Sequence, residues 1–207
     1  MTESLANICS SKAIAIIRVK DTHSIARIVD CLVDGGIKAL EITSNTPNYL
    51  QAIKDLRKRY PSISIGAGTI TNTFLASEAI DAGAQFLVTP NTSRSVIAMA
   101  NTKGIPIVVG AFTPSEVYNA YEWGADLVKL FPSNVLGLDY VKSLVSGPFN
   151  QIPILSVGAV DEKNAADWLK VGCIGVGFAG NLTQPILSEN DYSIRKARIK
   201  SLLNSIN

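Results

Sequence analysis

The chain has 207 residues, 47% hydrophobic and 17% charged, with a formal net charge of +2. This length and composition predict one well-buried domain over residues 1–207. Lysines and arginines are scattered without a basic run, which argues against a nucleic-acid partner, and no apolar stretch is long enough to span a membrane.

Met1–Lys12 is polar and has no apolar signal core, and Leu5–Ser10 can form one short starting helix. Cys9, Cys31 and Cys173 lack metal or redox spacing, which predicts reduced thiols and a cytoplasmic location. Eight apolar segments of strand length then recur: Ala13–Val19, Ala39–Thr43, Ile63–Thr69, Phe86–Pro90, Pro106–Phe112, Leu127–Phe131, Ile154–Gly158 and Cys173–Ala179. They are continuously apolar rather than alternating, as strands covered on both faces are. Helical patterns lie between them. Thr22–Asp34 ends at Gly35-Gly36, and Pro47–Arg59 follows a Thr46 cap. Asn72–Ala82 and Ser93–Lys103 each end at a glycine. Pro114–Trp123 carries a Thr113/Glu116 capping box. Leu138–Ser146, Glu162–Val171 following Asp161, and Tyr192–Leu203 complete the set. On the last, Arg195, Lys196, Arg198 and Lys200 read as a solvated face opposite Ile194, Ile199 and Leu202. The repeat of roughly 20 to 28 residues is one βα unit, and eight such units predict an α/β fold, the (β/α)8 TIM barrel. An open doubly wound sheet is disfavoured because no glycine fingerprint follows the first strand.

Such barrels place their chemistry at the C-terminal strand ends, where Arg18, Glu41, Thr43, Thr69, Thr89, Asn91, Thr113 and Lys129 all fall. Strand parity turns Leu127, Lys129 and Phe131 into the lumen. A lysine in an apolar run is either an edge residue snorkelling to water or an amine made neutral by burial, and a neutral amine attacks carbonyl carbons. Lys129 with Glu41 is either a structural ion pair or an acid/base pair, and Arg18 with a ring of threonines suits an anionic, oxygen-rich ligand. The glycines of Ser156–Asp161 and Gly177–Asn181 are either tight turns or the phosphate loops that often follow strands seven and eight. His23 reads as a surface or capping residue and Trp123 and Trp168 as packing residues, so no metal site is expected.

The segments Leu40-Glu41-Ile42-Thr43, Gly66-Ala67-Gly68-Thr69, Val88-Thr89-Pro90-Asn91, Lys129-Leu130-Phe131-Pro132 and Val157-Gly158-Ala159-Val160 run in order along the chain. Together they resemble the class I aldolases acting on 2-keto-3-deoxy-6-phospho-aldonates and 4-hydroxy-2-oxoglutarate. The resemblance implies a homotrimer without metal or organic cofactor. It implies that Lys129 forms a Schiff base with the keto acid and that Glu41 shuttles protons. The Gly66–Thr69 segment and Pro90 would line the pyruvate half, with Arg18 and Gly68-Thr69 at the carboxylate; Thr43, and Phe131 by its lumen parity, are further substrate-binding candidates. The loops at Gly158-Ala159 and Ala179-Gly180 would hold the phosphate, and Val157 is a further substrate-binding candidate. Asn45 and Val157 stand where phosphogluconate-type members carry Arg and Thr, and this resembles the phosphogalactonate branch. Ala159 and Ala179 depart from the usual glycines, and with Gly180 a hydroxyl contact to phosphate is lost. Cleavage of 4-hydroxy-2-oxoglutarate, isomerisation on a phosphate-binding barrel, and non-catalytic ligand binding are the rival readings.

Overall fold

The computed structural model describes residues 1–207. Eight parallel strands close into a barrel in chain order: β1 (Ala13–Ile17), β2 (Ala39–Thr43), β3 (Ser64–Gly68), β4 (Leu87–Val88), β5 (Ile107–Ala111), β6 (Leu127–Leu130), β7 (Ile154–Val157) and β8 (Gly175–Phe178). The helices are α1 (Glu3–Ser11), α2 (Ile25–Asp34), α3 (Tyr49–Arg59), α4 (Thr73–Asp81), α5 (Arg94–Thr102), α6 (Pro114–Glu122), α7 (Ser133–Val145), α8 (Ala165–Lys170) and α9 (Glu189–Ile206). None is long and apolar enough to cross a membrane.

Strand parity separates two apolar layers. Ile14, Ala39, Phe86, Val88, Val108, Leu127 and Leu155 fill the lumen, and Ile8 of α1 joins them from below. α1 is tied to that end by Asn7, which donates to Ser64 Oγ at 2.9 Å, and by Ser4, which donates to Gln85 O. The alternate residues, among them Ile17, Leu40, Ile65, Val109, Val128 and Val176, pack against the helices. Both faces are therefore apolar, which explains the continuous runs in the sequence. Each large aliphatic side chain buried this way contributes about 1.5–3 kcal/mol.

Several elements differ from expectation, each for a local reason. β4 pairs over two residues only, because Pro90 has no N–H and the Thr89 hydroxyl, not a backbone carbonyl, accepts from Gly110 N. α3 does not start under a Thr46 cap: the Thr46 hydroxyl is buried against Thr43 Oγ1 at 3.2 Å, and the helix begins after Asn48, whose φ is 53°. Residues Thr22–Ser24 form a 3-10 turn closed by Asp21, which accepts from His23 N, so α2 begins at Ile25. Asp161 accepts from Lys163 N and Asn164 N, and this turn delays α8 to Ala165. α7 begins earlier than expected, at Ser133, and is broken at Gly137, with φ 80° and ψ 166°. The Thr113/Glu116 capping box forms as read. α9 is longer at both ends, with Ser188 accepting from Asp191 N, and its faces are not those expected: Arg195 is 8% exposed while Ile194 is 52% exposed.

Gly110 and Gly104 separate crowding from backbone preference. A Cβ at Gly110 would lie 2.4 Å from the Pro90 carbonyl carbon, backbone that cannot turn aside, whereas Gly104 has φ +65° and open space. Gly110→Ala is expected to lower unfolding free energy by about 3 kcal/mol or more, and Gly104→Ala by about 1 kcal/mol, in denaturant titrations. Equal, small losses would contradict this packing.

Candidate active site

A cleft of about 390 Å³ opens at the C-terminal ends of the strands. Lys129 reaches it from the middle of β6, directly above Leu127 of the lumen layer, and is 7% exposed. Its Nζ lies 5.0 Å from the centre of the Phe131 ring, and no carboxylate pairs with it. An ammonium held without a partner costs several kcal/mol, which pulls the group toward the neutral amine. Burial pushes the Lys129 pKa below its ordinary 10.5; Glu41 opposes the shift and Arg18 adds to it.

Glu41, on β2, is 1% exposed, and its Oε2 is buried without a hydrogen-bond partner. Burial raises its pKa above the ordinary 4.5, against the pull of Lys129 and Arg18. A carboxyl whose hold on its proton is strengthened this way can both release and recover a proton. Its seat depends on Gly68, where a Cβ would lie 2.4 Å from Glu41 Oε1. Gly68 therefore acts by leaving room for the carboxylate rather than by lining the cleft.

Arg18 stands at the mouth and its Nη2 lies 3.4 Å from Thr69 Oγ1. Thr69 has φ +59°, a strained value for a β-branched residue, and is held there by Ser44 Oγ, which donates to Thr69 O at 2.8 Å. Pro90 and Phe131 complete this half. The expected ring of threonines does not form. Thr43 is fully buried outside the cleft, donating to Ile17 O and meeting Thr46 Oγ1, while the Thr89 hydroxyl donates to Asn91 O. Thr113 caps α6. These short hydroxyls satisfy backbone at the strand ends instead of facing a ligand.

The other half is built from the segments after β7 and β8. Val157, Gly158, Ala159, Ala179 and Gly180 line it, and Val160, Thr183 and Gln184 join them. Gly158, Ala159 and Gly180 have φ of 133°, 50° and 67°. The Ala159 carbonyl accepts from Asn164 Nδ2 at 2.9 Å, whereas the N–H groups of Ala159 and Val160 donate to no protein acceptor. Free backbone donors in such a turn suit an anion. A buried hydrogen bond of 2.7 Å from Ser156 Oγ to Ser133 Oγ fastens β7 to the start of α7, beside the Phe131-Pro132 cis bond that follows Lys129. Ile16 and Gly177 also line the cleft, and the parity argument applied to β6 places Ile16 in the lumen with Ile14. Thr183 and Gln184 carry no such pattern, since they lie on an irregular segment beyond a turn. No cluster of three His, Cys, Asp or Glu side chains able to hold a metal ion occurs.

Comparison with known proteins gives one consistent set of relatives. Residues 5–197 match the family model described as KDPG and KHG aldolase. The 2-dehydro-3-deoxy-6-phosphogalactonate aldolase of Escherichia coli is 35% identical over 174 residues, which cover 82% of this chain and 83% of that one. The 2-dehydro-3-deoxy-phosphogluconate aldolase of Pseudomonas aeruginosa is 34% identical over 186 residues, covering 88% and 84%. A solved structure described as native KDPGal superposes with a TM-score of 0.86 at 30% identity, covering 93% of both chains.

The Lys129 titration tests this electrostatic picture. Glu41 is the group holding the Lys129 pKa up, so removing its charge in Glu41→Gln should move that pKa further down. Competitive acylation of Lys129 as a function of pH should give a midpoint below 10.5 in the native protein and a lower one in the variant. A midpoint at or above the ordinary value, or an upward move in Glu41→Gln, would contradict it.

Proposed function

The chain belongs to the KDPG and KHG aldolase family, and on that premise we propose that it cleaves a 2-dehydro-3-deoxy-6-phospho-aldonate to pyruvate and glyceraldehyde 3-phosphate through an imine on Lys129. The observation that carries the reading is a nearly buried amine without an ion-pair partner, sharing a lumen with a buried carboxyl whose Oε2 has no partner either.

The neutral Lys129 amine attacks C2 of the keto acid, Glu41 gives its proton to the departing hydroxyl through a water, and loss of that water leaves a protonated imine and the Glu41 carboxylate. The C4 hydroxyl gives its proton to the Glu41 carboxylate through a water. The C3–C4 bond then breaks, its electron pair moves into the imine, and an aldehyde and an enamine result. Glu41 returns the proton to C3, and hydrolysis of the new imine releases pyruvate and restores the amine. Arg18, with Thr69 beside it, binds the substrate carboxylate. The backbone around Gly158-Ala159 and Ala179-Gly180 receives the phosphate.

Relatives of both substrate types lie at nearly equal identity, so identity does not select the C4 epimer. Val157 does bear on it: it is an apolar wall residue that offers no hydroxyl to the sugar, and its resemblance to the phosphogalactonate branch favours 2-dehydro-3-deoxy-6-phosphogalactonate. A second reading, 4-hydroxy-2-oxoglutarate cleavage, draws support from the matching family model, whose description names KHG beside KDPG. We infer further that one domain over residues 1–207 carries this activity, without metal or organic cofactor, as a cytoplasmic homotrimer. The family resemblance supports the trimer, and the exposed apolar side chains of Phe112, Val135 and Leu138 after β5 and β6 are consistent with subunit contact.

Pyruvate release from the two C4 epimers, each with and without its 6-phosphate, tests the substrate. The phosphorylated galactonate-type acid should give the highest kcat/KM, by roughly tenfold or more over its epimer. Lys129→Ala should release no pyruvate from any of the four. Turnover of none by the native enzyme would overturn the reading, and faster turnover of 4-hydroxy-2-oxoglutarate than of all four would select the second one.

A further inference from the structure

α9 lies outside the barrel, yet two of its arginines, one turn apart, reach the segments that wall the distal half of the cleft. Arg195 is almost fully buried; its Nη1 donates to Gln184 O, and its Nη2 donates to both Asp191 carboxylate oxygens at 2.9 and 3.0 Å. Asp191 in turn accepts from Leu187 N at 3.1 Å. Arg198 donates from Nε and Nη2 to the two oxygens of Glu162 at 2.7 and 3.2 Å, just beyond the turn that holds Ala159 and Val160. Leu182 and Ile186 anchor the segment after β8 in the core, but its backbone is sparsely bonded. Between Ala179 and Leu187 it makes one backbone–backbone hydrogen bond outside helices and strands, from Thr183 N to Gly180 O. Gln184 nevertheless lines the cleft beside Thr183 and Gly180.

We propose that Arg195, through Gln184 O and the Asp191 carboxylate, is a positioning residue for the distal end of the substrate, setting the place of the Gly180–Gln184 wall. Arg198 with Glu162 braces the opposite wall from the same helix. Burying a guanidinium is worth its desolvation only where its donors find acceptors, and here Nη1 and Nη2 find them in the backbone of this wall and in an aspartate that holds the same segment. The Arg195 side chain makes hydrogen bonds only to Gln184 O and Asp191, and none to the keto-acid residues Arg18, Glu41 or Lys129. The effect is therefore confined to the part of the substrate remote from the keto group. This inference rests on the proposed division of the cleft into a keto-acid half and a phosphate half.

Two reactions of the full-length enzyme separate the two ideas. Exchange of the pyruvate methyl protons with solvent reads the Lys129–Glu41 half alone, while cleavage of phosphorylated and unphosphorylated 2-keto-3-deoxy acids reads the whole cleft. Arg195→Lys keeps the charge but loses the fork, and Asp191→Asn, at a half-exposed position, weakens the same clamp without opening the core. Both should raise KM for the phosphorylated acid about tenfold, the worth of one well-made hydrogen bond. Both should leave pyruvate exchange and KM for the unphosphorylated acid within about twofold of native. Unchanged KM for the phosphorylated acid in both variants overturns the clamp, and so does a parallel loss of pyruvate exchange, which marks a role in the fold at large. Native enzyme that exchanges pyruvate protons but does not prefer the phosphorylated acid overturns the clamp together with the phosphate half. Native enzyme that exchanges none overturns the imine chemistry instead.

Discussion

The burial of Lys129 constrains everything around it. An amine inside a barrel lumen either finds a carboxylate to pair with or loses its charge. Here the nearest acid, Glu41, is itself buried, and the two exert opposite pulls on each other's protons without joining in an ion pair. That arrangement would be a poor choice for stability, because two desolvated groups gain little without direct contact. It suits chemistry in which the amine must be a nucleophile and the carboxyl must pass a proton. The lumen glycines fit the same demand: Gly68 leaves the carboxylate its place, and Gly110, paired with Lys129 across β5 and β6, lets the Pro90 backbone approach.

The two halves of the cleft differ in kind. The keto-acid half is centred on Glu41 of β2 and Lys129 of β6, with Arg18 one residue beyond the end of β1, and its precision comes from the barrel. The distal half is made of backbone in turns at positive φ and carries no cation of its own. Rigid strands suit bond making and breaking, while irregular segments set what the enzyme accepts. The precision of the second half has to be supplied from outside the barrel, and α9 is the element in contact with both of its segments.

Much of this was legible in the sequence. A period of two placed Lys129 with Leu127 on the lumen side, and the βα rhythm placed all eight strands near their observed positions. The glycine turns after β7 and β8 were recognisable because positive φ selects glycine. What was not legible depended on side chains that act on backbone. Thr43 and Thr89 have the composition of a binding ring and instead satisfy strand-end amides and carbonyls, a choice made by tertiary neighbours. Arg195 sits in a run of basic residues that reads as solvated, and only the fold brings Gln184 O and Asp191 to it. Thr183 and Gln184 escaped notice because an irregular segment has no period to expose which of its residues face inward.

The most direct measurement is borohydride reduction of the enzyme in the presence of pyruvate, followed by intact mass and peptide mapping. Imine formation on Lys129 predicts one adduct per chain, equal to pyruvic acid less one oxygen atom, located at Lys129, with loss of activity. An unmodified Lys129 in a fully folded protein, or an adduct at any other lysine, would contradict the account.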